Sequence, residues 1–180
     1  MRVPVLECER VRLRPYRASD GDALFRVFGD PEVARYWSFP PWTERAQAEA
    51  YLAPLIAELP DAPTVLPWVI ADRAHDELVG TTTIFAWHRE QRRAEIGYSL
   101  QRAHWGQGIA REAVSRVLDH GFTELGLRRF EADIDPRNAA SIALVERLGF
   151  RREGLLRERW LVGGEACDSV VYGLLARDWR

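Results

Sequence analysis

The 180-residue chain predicts an α+β fold in which a mostly antiparallel sheet is interrupted by one parallel strand pair. Three observations lead there. Strand-like segments from Pro67 ("PWVIADR") and Leu78 ("LVGTTTIFAWH") are separated only by the polar stretch "AHDE", which reads as a hairpin in an antiparallel meander. A third strand-like segment from Arg93, "RAEIGYSL", is followed by apolar residues at helical spacing between Gly106 and Gly126, and then by the alternating "RRFEADID". A strand, a helix of about five turns and another strand make a right-handed crossover. That sets Ala94–Leu100 and Arg129–Asp135 parallel.

The remaining elements follow in chain order. Alternation of charged and apolar residues in "RVRLR" (Arg10 to Arg14) is the period of a strand with one buried face. In "ASDGDALFRVFGD", Ser19 or Asp20 is placed to cap a helix that buries Ala23, Leu24, Val27 and Phe28. Pro31, Pro40 and Pro41 bracket an aromatic loop, "RYWSFPPW", and a second helix starts at Thr43 and is disturbed at Pro54. After "RRFEADID", with Phe130, Ala132 and Ile134 on one face, a helix spans Asn138 to Leu148 and stops at Gly149. Two strands close the chain, around Leu155–Leu161 and Ser169–Leu175, with Gly163 and Gly164 as turn material. No repeat, linker or low-complexity segment divides the sequence, so residues 1–180 read as one domain.

Composition narrows the function classes. The formal net charge of −2 arises from intermingled signs without a basic run, which argues against direct nucleic-acid binding. Cys8 and Cys167 have no partner at metal-ligand or disulfide-framework spacing, and His75, His88, His104 and His120 show no metal-site spacing, so they read as solvated or capping side chains and no metal is expected. The first ten residues, "MRVPVLECER", break before a signal-peptide core, and no apolar run approaches the roughly 20 residues of a membrane span. A soluble, cytoplasmic protein is expected. All 25 basic side chains are arginine; there is no lysine.

In "HWGQGIAREAV", glycines 106 and 108 stand where the long helix begins. A helix N-terminus presents unpaired N–H groups and about half a positive charge, and glycines leave it open to an anion. No Lys-Ser/Thr pair follows, as a nucleotide-triphosphate loop requires, and Arg111 occupies the third glycine position of a dinucleotide fingerprint. A pyrophosphate held by backbone alone fits better; a tight strand-to-helix turn is the simpler reading. Downstream, "DPRNAASIALVERLGF" opens another helix with Asn138 and Ser141 on the same edge of the sheet, where parallel strands form ligand crevices.

"EIGYSL", "HWGQGIAREAV" and "DPRNAASIALVERLGFRREG", in this order and spacing, resemble the GNAT superfamily of N-acetyltransferases, and within it the ribosomal-protein N-terminal acetyltransferases. The resemblance runs from "LECERVRLRPYRASD" to the last strand. It implies a GNAT fold, with helices on both faces of the sheet and a splayed parallel pair, and acetyl-coenzyme A as co-substrate. Trp105, Gly106, Gln107, Gly108, Ile109 and Ala110 would wrap the pyrophosphate, the pantetheine arm would pair with backbone from Tyr98 to Leu100, and Asn138 would contact the arm. Arg147 and Arg111 are phosphate neighbours or solvated helix arginines. A homodimer is also suggested. Two departures stand out: Ala103 replaces the Gln or Arg that many members carry before the first loop glycine, and Val145 replaces a tyrosine that in many relatives protonates the departing thiolate.

Acetyl transfer needs a neutral amine and, usefully, a proton for the leaving sulfur. Glu95, on the strand before the loop, is the candidate base, directly or through water; otherwise it is a surface strand carboxylate. Ser141 is the candidate acid, or else bonds a backbone carbonyl in its own helix. Trp37, Phe39 and Trp42 border the acceptor site if the family pattern holds, and are core or a dimer contact if not. The expected activity is direct attack by a primary amine, the N-terminal α-amine of a protein or peptide, on acetyl-coenzyme A. An acetyltransferase for a small-molecule amine and a non-catalytic acyl-coenzyme A sensor are the alternatives. Because lysine is absent, the chain's own α-amino group is its sole primary amine. Prolonged incubation with acetyl-coenzyme A should therefore add at most one amine-linked acetyl per chain; two or more by intact-mass spectrometry would contradict this.

Overall fold

Side chains on successive residues of a strand point to opposite faces, and this parity divides the interior in two. A computed structural model describes residues 2–56 and 63–179. Strand β3 (Leu66–Asp72) sends Trp68 and Ile70 into one apolar cluster and Val69 and Ala71 into another. Helices α1 (Gly21–Phe28), α2 (Pro31–Ala34) and α3 (Arg45–Ile56) cover the second cluster. Helices α4 (Ile109–Thr123) and α5 (Ala139–Arg147) cover the first. The helices thus lie on both faces.

The other strands are β1 (Leu6–Glu7), β2 (Val11–Arg14), β4 (Leu78–His88), β5 (Arg93–Leu100), β6 (Arg129–Ile134), β7 (Arg151–Val162) and β8 (Glu165–Leu175). They form one mixed sheet in the order β1-β2-β3-β4-β5-β6-β8-β7, in which β5 and β6 are parallel and the other pairings antiparallel. None of the described helices is long and apolar enough to cross a membrane.

Several local expectations are corrected. Asp20 stands at the start of α1 but does not cap it; its carboxylate forms a bidentate pair with buried Arg14, at 2.8 and 2.9 Å, and accepts the Arg17 N–H. No such bond is recorded for Ser19 either, and a buried guanidinium outcompetes a helix N–H for the carboxylate. Helix α3 begins at Arg45 and continues through Pro54 to Ile56. The final hairpin is longer than the apolar pattern suggests, because the ladder extends through Arg151–Arg152 and Glu165–Cys167. His120 is buried edge-on to Trp68, neither solvated nor capping, and burial lowers its pKa.

Helix α4 reaches the sheet closely at Gly121. A Cβ there would lie 2.3 and 2.5 Å from ring atoms of Phe130, which is fully buried and packed edge-on to Phe122. Gly121→Ala gains up to about 1 kcal/mol of helix propensity but overpacks a ring that cannot swing away, at about 1–3 kcal/mol. The clash should win. We expect a net loss near 1 kcal/mol in urea denaturation, and a stabilised variant would show that α4 shifts freely.

Candidate active site

The parallel pair is short. β5 and β6 exchange ladder contacts only over Arg93–Glu95 and Arg129–Glu131, although β5 continues to Leu100 and β6 to Ile134. Above that point β5 stays with β4, up to Leu100 opposite Gly80, and β6 stays with β8, up to Ile134 opposite Val170. The two halves of the sheet part there, and a cleft of about 280 Å³ occupies the gap. Among the described residues, the edge of β5 facing it has no strand partner from Ile96 onward, which suits an extended polar chain that can complete the ladder.

At the far end of β5 the chain turns into α4. Trp105 donates its indole N–H to the Leu100 carbonyl at 2.8 Å, so one of those backbone acceptors is already engaged. Gly106 and Gly108 have φ of +72° and +78°, a conformation that side-chain-bearing residues rarely adopt. Among the described residues, no acceptor is bonded to the N–H groups of residues 106–111. The loop is held from outside: Arg10 donates through Nη1 to the Gln107 carbonyl at 2.6 Å and through Nε to Glu112 at 2.8 Å, and its backbone N–H donates to the same carboxylate at 2.7 Å. Burial pushes the Glu112 carboxyl up, but these bonds overcome it and hold the group below the usual range. A negative charge beside an anion-accepting helix end is thereby compensated. Unbonded amides, with open space at Gly106, fit a pyrophosphate group.

Strand parity assigns the cleft walls. Ala94, Ile96 and Leu100 face the α4–α5 cluster, and Tyr98 packs against it; Glu95 and Gly97 face the other way. Glu95 is half-buried, and burial together with the charges of Asp133 and Glu131 raises its pKa, partly offset by Arg159 and Arg93. On the α5 side, Asn138 caps the helix by accepting the Ser141 N–H at 3.1 Å, leaving its amide N–H₂ for a ligand. The Ser141 hydroxyl lies 2.6 Å from the Tyr98 hydroxyl. Val145, one turn further, is fully buried. The outer wall carries Tyr36 and Trp37 from the aromatic loop and Trp160 from β7, whose indole reaches Asp133 at 3.2 Å.

The cleft thus gathers Glu95, Asn138, Ser141 and Trp37. Phe39 and Trp42 are not among the cleft-lining residues; like Trp37, whose ring centroid is 5.1 Å from that of Phe28, they pack on Phe28, at 5.8 and 4.8 Å, and the three rings anchor the loop to the second cluster. Arg147 is exposed in the last turn of α5, about 13 Å along the axis from Asn138, and has no carboxylate partner among the described residues. The hydroxyl of Tyr98, the Arg10 clamp and Asp133 were not singled out from sequence. Tyr98 and Asp133 lie inside quoted motifs, and parity alone could have put Asp133 beside Glu95.

The model of the acetyltransferase (GNAT) domain matches residues 10–151. The chain belongs to the GNAT acetyltransferase family. It is an acetyl-coenzyme A-dependent N-acetyltransferase, which sets the sensor reading aside. The uncharacterized N-acetyltransferase p20 of Bacillus licheniformis is 38% identical over 174 residues, 97% of each chain. Mycobacterium smegmatis RimJ, solved with CoA-disulfide, superposes with a TM-score of 0.86 at 30% identity, over 98% of this GNAT chain and 91% of its own. The spermidine N(1)-acetyltransferase of Escherichia coli is 26% identical over 160 residues, 89% of this chain and 83% of its own.

Asparagine tolerates positive φ, so Gly108→Asn separates blockage from backbone strain. A Cβ there would sit 3.3 Å from the Arg10 guanidinium. We expect a Tm within a few degrees of wild type and coenzyme A affinity lowered at least about tenfold by calorimetric titration, or about 1.4 kcal/mol. Unchanged affinity would mean that these amides do not hold the ligand. Glu95 supplies a stability test. Its pKa is raised in the fold, so the folded chain holds its proton to higher pH than the unfolded chain and stability falls as pH rises through that range. Glu95→Gln should therefore raise Tm at pH 7.5 and leave it nearly unchanged near pH 4.

Proposed function

We propose that this enzyme transfers the acetyl group of acetyl-coenzyme A to the N-terminal α-amine of a protein or peptide. The observation that carries the reading is the separation of a carboxylate, Glu95, from a hydroxyl pair, Ser141 and Tyr98, by the thickness of one strand at the cleft. The acceptor enters from the Glu95 side, past Trp37 and Trp160. The amides of residues 106–111 hold the pyrophosphate, the free edge of β5 holds the pantetheine arm, and the Asn138 amide steadies it. Glu95, directly or through one water, first takes the ammonium proton and so delivers the amine neutral; once that proton has passed to solvent, Glu95 takes the one that the amine loses on attacking the thioester. Ser141 donates a hydrogen bond to the departing sulfur.

The choice of an α-amine rests on proton energetics. An α-ammonium has a pKa near 8, against about 10.4 for a lysine-like amine, so a carboxylate has far less to do in delivering it neutral. One observation favours a second reading. Glu95, Asp133 and Asp168 line the cleft beside aromatic rings, a setting that also accepts a polyamine, and the spermidine acetyltransferase of Escherichia coli is a relative. A thiol-release assay separates the two readings. Peptides with a free α-amine should turn over, and the same peptides with a blocked N-terminus and an internal lysine should not. Turnover confined to spermidine and spermine would replace the first reading by the second.

Glu95→Gln should lower kcat/KM with the peptide by roughly 10²-fold near pH 7. Above pH 8 the amine arrives neutral and needs less help, so the deficit should shrink as pH rises. A deficit independent of pH from 6.5 to 9 would remove Glu95 as the base.

A further inference from the structure

Val145 leaves α5 without a phenol at the position where many relatives have one, yet a phenol does reach the cleft, from the neighbouring strand. Tyr98 lies on the α5 side of β5, and its hydroxyl sits 2.6 Å from the Ser141 hydroxyl and 3.5 Å from the Ser141 carbonyl. The serine is held twice, since Asn138 fixes its backbone N–H at 3.1 Å. In a phenol–alcohol pair the more acidic phenol is the better donor. No other bond to the Ser141 hydroxyl is recorded among the described residues, so its proton is not tied to a backbone carbonyl of its own helix.

We propose that Tyr98 is the positioning residue for the acyl-transfer step: its phenol donates to the Ser141 oxygen and leaves the serine's proton directed at the leaving sulfur. This rests on the reading of Ser141 given above. In the step, the amine nitrogen bonds the acetyl carbon, the carbon–sulfur bond breaks with its electron pair going to sulfur, and Glu95 takes the amine proton. The thiolate departs hydrogen-bonded to Ser141. It takes its proton from solvent, to which Glu95 returns one; Tyr98 and Ser141 end as they began. A thiol ionises near 8.5, so a thiolate stabilised by a hydrogen bond can leave without a strong acid. Burial, partly offset by the bond to Ser141, pushes the Tyr98 pKa up to about 12, which keeps the phenol a donor across the working range.

The test is a double-mutant cycle on the full chain, read as kcat from pH 6.5 to 9 and as coenzyme A affinity. Ser141→Ala should lose about 10²-fold in kcat, and Tyr98→Phe, which keeps the ring packing, about 3- to 10-fold, the worth of one neutral hydrogen bond. Both should bind coenzyme A as wild type does, and their pH profiles should run parallel to it. The double variant should be no slower than Ser141→Ala, because the phenol acts only through the serine. Independent, multiplying losses would overturn the inference, as would full kcat in Tyr98→Phe or a loss explained by coenzyme A affinity alone. Full kcat in Ser141→Ala would instead remove the reading on which it rests.

Discussion

The site depends on a ladder that stops early. Backbone N–H and C=O groups normally pair along the whole of two adjacent strands, and an edge left open inside a protein has to be used. Here the pair is tied at its base by Glu131, which accepts from Arg93 at 3.1 Å and Arg129 at 2.7 Å, and Arg129 also reaches Glu153 on β7. Past that knot each strand follows its other neighbour: β5 is held by β4 and β6 by β8. Right-handed twist then carries two well-paired half-sheets apart. The opening needs no strained residue in either strand.

Most charged groups described around the opening stand beside an opposite charge. Arg10 neutralises Glu112 beside the glycine loop, and Arg137 at the head of α5 pairs with Asp135 at 2.7 Å and Glu165 at 3.0 Å. Glu95 differs: Arg93 and Arg159 act on it weakly against burial and two neighbouring carboxylates. Buried ionisable groups with raised pKa values cost stability and tend to mark chemistry. The Arg14–Asp20 pair is also buried, but bidentate and far from the cleft. It ties the start of α1 to β2, a structural use of the same kind of group.

Much of this was legible in the sequence, and what was missed has physical causes. The parallel pair, the hairpin and the crossover helix follow from apolar periodicity, since burial on one face repeats every two residues in a strand and about every 3.6 in a helix. The glycine loop follows from chemistry, because only glycine accepts φ near +75° without strain. The ends of β7 and β8 did not follow. Arg151, Arg152 and Glu165 pair through backbone while their side chains face solvent, so no apolar signal marks them. Asp20 misled because capping is a local rule and a buried arginine is a tertiary fact. Phe39 and Trp42 carry the same composition cue as Trp37, and all three rings pack on Phe28; what sets Trp37 apart is that it also lines the cleft.

Parity on β5 has a further consequence for the chemistry. Residues 95 and 98 differ by an odd number, so one strand presents its carboxylate to one face and its phenol to the other. Glu95 shares the cleft with Asp133, Asp168 and the rings of Trp37 and Trp160. On the opposite face, Tyr98 packs against the cluster that holds Ile96, Ile142 and Val145 and bonds Ser141 at the cleft wall; in the proposed reaction, an apolar backing strengthens a hydrogen bond to the developing sulfur charge. A base needs contact with solvent to discard its proton, and hydrogen bonds to a leaving group gain from being dry. In the reaction proposed above, placing Glu95 and the Ser141–Tyr98 hydroxyls on opposite sides of one strand would meet both needs.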